Sequence, residues 1–133
     1  MPERVTVRSL QKYQVEATNG KSRIVLDMPV DQGGDGAGLL PHETLLSALG
    51  GCKAMTMTSY AKRKEFPLQG VEIALVWDRP PAGSGDAPEQ ITVEIKLMGP
   101  LDEAQRQRLL EIAGKCPVHR TLTGKIEISS RLA

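Results

Sequence analysis

Cysteine is the residue type with the clearest chemical potential in this 133-residue chain, which contains two, Cys52 and Cys116. They lie too far apart for a CxxC redox pair or a zinc knuckle, which place their cysteines close in sequence. A permanent disulfide is unexpected in a reducing compartment, and a chain of this length does not need one. Two interpretations remain: two inert buried thiols, or one redox pair that the fold assembles.

The sequence predicts different settings for the two thiols. Cys52 falls on an apolar helical stripe, where burial without a partner raises a thiol pKa and makes the group inert. To react, it would need a donor such as arginine from outside its own helix. Cys116 directly precedes Pro117 and is expected at a helix N-cap, where free N–H groups favour an anion. The following His119 and Arg120 could add positive charge.

The redox interpretation requires the two central helices to pack together and bring the cysteines into contact. A thiolate would then attack a peroxide oxygen, become a sulfenic acid and condense with the second thiol. External thiols would reduce the resulting disulfide by exchange.

Other chemistries have weaker support. Cys116, His119 and Cys52 could supply three ligands of the zinc type, but the spacing is only half a motif and the fourth ligand is missing. The glycine-rich segment 31–38 is not followed by Gly-Lys-Ser/Thr, so it indicates a flexible connector rather than a phosphate loop. No Gly-x-Ser-x-Gly hydrolase motif occurs.

Composition excludes several classes of function. The formal net charge is +1, and four aromatic residues are too few for a base-stacking surface, so no nucleic-acid partner is expected. No apolar run approaches the roughly 18 residues that cross a bilayer, and the N-terminus lacks the apolar stretch of a secretory signal. We predict one soluble, cytoplasmic domain over residues 1–133, without a membrane partner.

The first half of the chain alternates apolar and polar residues and then changes to a helical pattern. Three antiparallel strands are expected within the first thirty residues, with a hairpin turn at Asn19-Gly20 whose two residues need positive φ. Pro41 suits a first helical position and begins a helix that extends to about Lys64.

The composition of this helix predicts its surroundings. Gly50 and Gly51 are expected to let another backbone approach closely beside Cys52, since paired glycines otherwise weaken a helix. The helix is apolar nearly all round until its last three residues, 62–64, which predicts a central, buried position.

The second half supplies two strands, two helices and a last strand. Alternation predicts half-buried strands at 71–77 and 91–97. Asp102 with Gln105 resembles a capping box that begins a helix to about Lys115. Pro117 begins a short helix, and Ile126 with Ile128 predicts a final strand. The order β-β-β-α-β-β-α-β indicates an α+β fold.

Two segments resemble motifs of one family. Residues 41–52, PHETLLSALGGC, resemble the first-helix motif of the OsmC/Ohr thiol peroxidases. Residues 115–122, KCPVHRTL, are similar to the second-cysteine motif of its OsmC-like branch. With the order of elements, the resemblance covers essentially the whole chain. It implies an OsmC-like fold, with antiparallel sheets wrapped around two central helices in an intertwined homodimer whose active sites lie at the subunit interface.

The same resemblance implies the roles of the two cysteines. Cys52 would be peroxidatic and Cys116 resolving, although the local argument from the residues slightly favours the lower pKa for Cys116. The implied substrates are organic and fatty-acid-type hydroperoxides, and the implied reductant is a dithiol such as dihydrolipoamide or a lipoylated protein. Neither a metal nor an organic cofactor is implied. The main alternative is a non-catalytic OsmC-like redox sensor or small-molecule-binding protein; a third hypothesis treats both thiols as packing groups.

The chain departs from the family pattern near the start of the helix. Family peroxidases pair the thiolate with an arginine, which a glutamate near the start of the first helix holds. In the Ohr branch this glutamate directly follows the proline, where this chain has His42, and Glu43 comes one residue later. On an ideal helix Glu43 lies roughly opposite Cys52, so it reaches the site through an irregular first turn or across an interface, or is a solvated carboxylate. The candidate arginines, which no motif identifies, are Arg23, Arg8 and Arg120.

Overall fold

The computed structural model describes residues 2–133. The chain divides into two compact units, the first ending at Ser47 and the second beginning at Ala48. In chain order, the strands and helices are β1 (Thr6–Ser9), β2 (Val15–Thr18), β3 (Arg23–Leu26), α1 (Pro41–Lys64), β4 (Gly70–Asp78), β5 (Gln90–Met98), α2 (Glu103–Ala113) and α3 (Pro117–Leu122). This content is α+β, as the sequence predicts. None of the helices formed by residues 2–133 is long and apolar enough to cross a membrane.

The first unit contains the antiparallel sheet β1-β2-β3. Its second hairpin closes with the pair Thr18 and Arg23, so the connection is longer than a two-residue turn. Asn19 Oδ1 accepts hydrogen bonds from the backbone N–H groups of Lys21 and Ser22, at 2.9 and 2.8 Å. Positive φ occurs at Gly20 but not at Asn19, so the prediction of a turn with two such residues was wrong. The asparagine side chain shapes the turn instead.

A buried carboxylate orders the glycine-rich segment between β3 and α1. Asp27 is 3% exposed, and its oxygens accept hydrogen bonds from the N–H groups of Met28, Asp35 and Ala37. The bond from Ala37 is the largest cause of the lowered pKa of Asp27. A Cβ atom at Gly34 would lie 2.1 Å from the carbonyl oxygen of Met28, so this position requires glycine. The glycines here permit close packing of backbone around one aspartate.

The core of the second unit lies between two helices and the β4-β5 sheet. The strands pair antiparallel from Gly70 opposite Met98 to Asp78 opposite Gln90. From Val71 onward in β4 and throughout β5, only every second residue is half-buried, so the side chains of alternate residues face the helices. The buried cluster comprises Met57, Tyr60 and Ala61 of α1, Leu101, and Leu109, Ile112 and Ala113 of α2. Burying one large apolar side chain stabilises the fold by roughly 1.5–3 kcal/mol.

Local signals place the ends of α2 and the beginning of α3. Asp102 and Gln105 form the predicted capping box, in which each side chain accepts a hydrogen bond from the other residue's backbone N–H. Helix α2 ends at Ala113, two residues before the predicted end. Cys116 is the N-cap of α3, and Pro117 is its first residue.

Helix α1 is less enclosed than its composition predicts. Met55 is 74% exposed, so the helix in this chain is buried on one side only. A Cβ at Gly50 would lie 2.8 Å from Cδ1 of Leu75, whereas a Cβ at Gly51 would meet nothing within 4 Å. What approaches the helix beside Cys52 is therefore a side chain of β4 rather than another backbone, and it does so at one glycine rather than two.

The C-terminal segment does not form the predicted last strand. Residues after α3 have no regular secondary structure, and Ile126, Ile128 and Leu132 are 59%, 87% and 98% exposed. A strand needs a hydrogen-bonding neighbour, and none of the described strands pairs with this segment. The sequence does alternate apolar residues here, but the prediction of a strand was wrong for the described chain.

Candidate thiol site

The first thiol lies in the middle of α1. Cys52 is a free, half-buried cysteine, and its carbonyl oxygen accepts a hydrogen bond from Thr56 Oγ1 at 2.7 Å. One turn before it on the same helix is Leu49, which is 4% exposed. Cys52 thus lies at the margin of the buried face of the helix, beside the buried Leu49.

The second thiol is completely buried at the α2–α3 junction. Cys116 is 0% exposed, and its Sγ accepts a hydrogen bond from the backbone N–H of His119 at 3.4 Å. Its backbone is extended, with φ of −67° and ψ of 142°, as the residue before a proline prefers. Pro117 therefore fixes both the start of α3 and the extended backbone of the cysteine that caps it.

The structure brings these two cysteines together. Burial raises the pKa of the Cys116 thiol, and the neighbouring Cys52 thiol raises it further through hydrogen bonding and charge. The backbone N–H of His119 and the charge of Lys53 act in the opposite direction. Both cysteines are free thiols. A pair of adjacent thiols can be oxidised to a disulfide and reduced again, which is the chemistry that the sequence interpretation required.

Lys53 is a component of this site that our sequence analysis did not identify. Its side chain is buried, with the residue 4% exposed, and Nζ donates a hydrogen bond to the carbonyl oxygen of Ala113 at 2.9 Å. The same Nζ lies 2.9 Å from Nδ1 of His119. The sequence did contain a signal: Lys53 is the only charged residue between Glu43 and Lys62, within an otherwise uncharged helical segment.

The imidazole of His119 is engaged with Lys53 rather than with sulfur. With Lys53 Nζ as the donor, Nδ1 of the ring accepts this hydrogen bond. The zinc-type arrangement that the spacing of Cys116 and His119 suggested is not assembled. Within residues 2–133, no cluster of three or more His, Cys, Asp or Glu side chains could hold a metal ion.

An open cavity of about 340 Å³ adjoins this buried lysine and histidine. Its lining combines aliphatic and polar side chains. The lining residues are Leu49, Ile91, Val93 and Leu122, together with Lys53, His119, Glu89 and Thr123. Such a cavity suits a small, mainly apolar molecule with one polar end.

The predicted supporting residues have partners within the first unit. Glu43 Oε1 accepts a hydrogen bond from the N–H of Leu40 at 2.8 Å, which caps the first turn of α1. Arg23 Nε lies 3.3 Å from Glu16 Oε2, in an exposed ion pair. The alternatives differ in location: Arg8 lies on β1 and Arg120 on α3, and both are exposed.

Comparison with known proteins identifies one family. The family model described as "OsmC-like protein" matches residues 33–131. An OsmC-like protein from Mycoplasma pneumoniae has a similar structure, with a TM-score of 0.79 and 21% sequence identity over 93% of this chain and 89% of that one. No curated protein matches the chain significantly.

Two further similar structures have functional names. The organic hydroperoxide resistance protein OsmC from Legionella pneumophila has a TM-score of 0.65 and 18% identity over 93% of this chain and 90% of its own. The organic hydroperoxide resistance protein OhrB of Bacillus subtilis has a TM-score of 0.63 and 19% identity over 93% and 92%. At these identities the likeness establishes a shared fold.

Proposed function

Because the chain belongs to the OsmC-like family, we propose that it is a thiol-dependent peroxidase that reduces organic hydroperoxides through Cys52 and Cys116. The observation that carries this proposal is the pair of free, interacting thiols on two helices of one unit. The hydroperoxide resistance named for the Legionella and Bacillus relatives supports the substrate class.

The difference in burial supports Cys52 as the attacking residue. A hydroperoxide can reach the half-buried Cys52 more easily than Cys116, which is 0% exposed. Burial also raises the pKa of Cys116, so fewer molecules carry the reactive thiolate there. The sequence argument for a lower pKa at Cys116 considered the helix cap alone, but burial opposes the effect of the cap.

The proposed cycle balances with a hydroperoxide and a dithiol. The Cys52 thiolate attacks the terminal peroxide oxygen, the O–O bond breaks, and the departing alkoxide takes a proton to leave as an alcohol. Cys116 then attacks the Cys52 sulfenic acid, which forms the disulfide and releases water. A dithiol such as dihydrolipoamide, free or carried by a lipoylated protein, reduces the disulfide by two exchange steps and becomes oxidised itself.

The cavity supports an organic rather than an inorganic peroxide. Its aliphatic side chains would favour burial of a carbon chain, worth about 0.8 kcal/mol for each CH₂ group. Lys53 and His119 line this cavity and also lie beside Cys116, so a peroxide group held by these two residues would lie near the thiols.

The proposal includes an intertwined homodimer in the cytoplasm, with Arg23 and Glu43 as thiolate-supporting groups. The exposed apolar residues of the C-terminal segment and the exposed Met55 support the dimer, because exposed apolar patches are typical of surfaces that a partner covers. The ion pair of Arg23 with Glu16 is exposed, and such pairs are weak enough to exchange for a thiolate partner.

The test is the consumption of cumene hydroperoxide in the presence of dithiothreitol or dihydrolipoamide. We expect the wild type to turn over and Cys52→Ser to lose at least about 99% of the activity, since the nucleophile is absent. In Cys116→Ser, one equivalent of peroxide should produce a sulfenic acid on Cys52, detected by mass spectrometry after trapping with dimedone. Ser59→Ala, at an exposed position of the same helix, is the matched control and should retain full activity.

Two results would contradict the proposal. Stoichiometric oxidation of Cys52 without turnover, with every dithiol offered, would indicate a redox sensor or binding protein. If neither thiol reacts with peroxide in the folded protein, both are packing groups.

A further inference from the structure

We propose that Lys53 is the positioning residue of the thiol pair: it holds Cys116 against the helix that carries Cys52 and places a positive charge beside that thiol. The role in catalysis rests on the proposed function, but the role in the geometry and ionisation of Cys116 does not.

The amine of Lys53 contacts one residue before Cys116 and one residue after it. Nζ of Lys53 bonds the carbonyl oxygen of Ala113, three residues before Cys116, at 2.9 Å. It also contacts Nδ1 of His119, three residues after Cys116, at 2.9 Å. The short segment that carries the buried thiol is thus fixed at both ends by one atom. Because Lys53 directly follows Cys52 in α1, the same contacts set the separation of the two thiols.

The burial of this side chain calls for an explanation beyond packing. A buried cation is destabilising unless it is paired or well hydrogen-bonded. Within residues 2–133, neither partner of Lys53 Nζ is a carboxylate; one is a carbonyl oxygen and the other an imidazole nitrogen. The positive charge is therefore not neutralised by a fixed anion. Glu89 lines the same cavity but is not one of these two hydrogen-bond partners. The Cys116 thiol can also become an anion beside Lys53, and the charge of Lys53 lowers its pKa.

The titratable groups that face Cys116 come from two helices. Helix α1 contributes the side chains of Cys52 and Lys53. Helix α3 contributes His119, whose backbone N–H donates a hydrogen bond to the Cys116 sulfur. Among these, Lys53 is the group whose charge opposes the effects of burial and of the second thiol. The ionisation of Cys116 should consequently depend on Lys53 more than on any distant charge.

In the proposed cycle, this assistance acts when the disulfide forms. The Cys116 thiolate attacks Sγ of the Cys52 sulfenic acid, an S–S bond forms and the S–O bond breaks. The hydroxide that leaves takes up the proton that Cys116 released, and water is the product. During reduction the ammonium again stabilises Cys116, when it leaves the disulfide as a thiolate.

The first test measures ionisation without any peroxide. In the Cys52→Ser background Cys116 is the only thiol, so its thiolate absorbance near 240 nm, corrected for tyrosine ionisation, reports its titration. We expect Lys53→Met to lower the acid dissociation constant of Cys116 about tenfold, since a nearby opposite charge commonly shifts a pKa by a unit or more. Lys53→Arg should retain most of the wild-type behaviour, and Lys62→Met, at an exposed position of the same helix, should retain all of it.

The second test measures positioning. With both cysteines present, the thiol oxidant diamide accepts two electrons and two protons as the pair becomes a disulfide. We expect Lys53→Met and Lys53→Gln to slow this closure at least about tenfold, compared at pH values that give equal thiolate fractions. Lys53→Gln retains a hydrogen-bond donor without the charge, and it replaces the methionine variant if that variant does not fold.

The outcomes separate the two proposals. An unchanged titration of Cys116 in folded Lys53→Met or Lys53→Gln would overturn the electrostatic role, and unchanged closure by diamide would overturn the positioning role. If the wild type closes its disulfide with diamide but does not turn over hydroperoxide, the proposed function fails while the role of Lys53 stands.

Discussion

The ionisation of Cys116 links the thiol site to the stability of the protein. Burial, together with Cys52, raises the pKa of this thiol above its ordinary value of 9.0, so the folded chain binds the proton more tightly than the unfolded chain. The stabilisation is fully present below pH 9.0 and is lost as the pH rises through the higher folded-state pKa. We therefore expect the free energy of unfolding, measured with urea under strong reductant, to fall above pH 9.0.

The control for this prediction is Cys116→Ser, which has a similar size and does not titrate in this range. Around neutral pH, the free energies of unfolding of this variant and of the wild type should depend on pH in the same way. Above pH 9.0, the value for the wild type should fall more steeply. Parallel curves through the alkaline range would contradict a raised pKa at Cys116.

At the scale of single residues, local chemistry was predictable and contacts between elements were not. The cap formed by Cys116 and Pro117, and the capping box at Asp102, were predicted because each depends on residues within one turn. Lys53 was missed because its partners, Ala113 and His119, lie about sixty residues further along the chain. Hydrophobic periodicity does not register such a contact, since it counts only apolar positions.

At the scale of elements, one glycine of α1 provides a sharp test of how the helix packs on the sheet. A Cβ atom at Gly50 would lie 2.8 Å from Leu75, whereas Gly51 has open space. We expect Gly50→Val to reduce the free energy of unfolding by about 1–3 kcal/mol more than the matched Gly51→Val, because only the first must displace the half-buried side chain of Leu75. Chemical denaturation of both variants measures the difference, and an equal or larger loss at Gly51 would contradict it.

The strands show why helical elements were predicted more completely than the sheets. Helix α1 has its initiating proline and its closing basic turn in its own sequence, so both ends at Pro41 and Lys64 agree with the prediction. The strand expected through Ile126 and Ile128 has the right alternation, but a strand also needs a neighbour that its own residues do not specify. The error therefore concerns pairing, which is a property of the assembled sheet.

At the scale of the whole molecule, the unpaired C-terminal segment is the feature that the proposed homodimer would explain. Ile126, Ile128 and Leu132 are exposed and would point to the same side of a strand, with Ser130 between the last two. If a second copy covers that face, the protein should sediment as a dimer at micromolar concentration. Replacing Ile126 and Ile128 together with glutamate should weaken the dimer at least about a hundredfold, because two buried aliphatic side chains contribute roughly 3 kcal/mol or more.

The control places two glutamates at the flanking positions, and its change in net charge, −3 against −2 for the first double variant, is the larger. Lys125→Glu with Ser129→Glu changes residues that would face away from the covered side of a strand, so this double variant should remain dimeric. Sedimentation velocity across a concentration series measures both association constants. If the two double variants weaken association equally, charge rather than an apolar face controls assembly; if both leave it intact, the C-terminal segment lies outside the interface. Either result would remove the main structural support for an intertwined dimer while leaving the thiol pair, which lies within one unit of a single chain, available for catalysis.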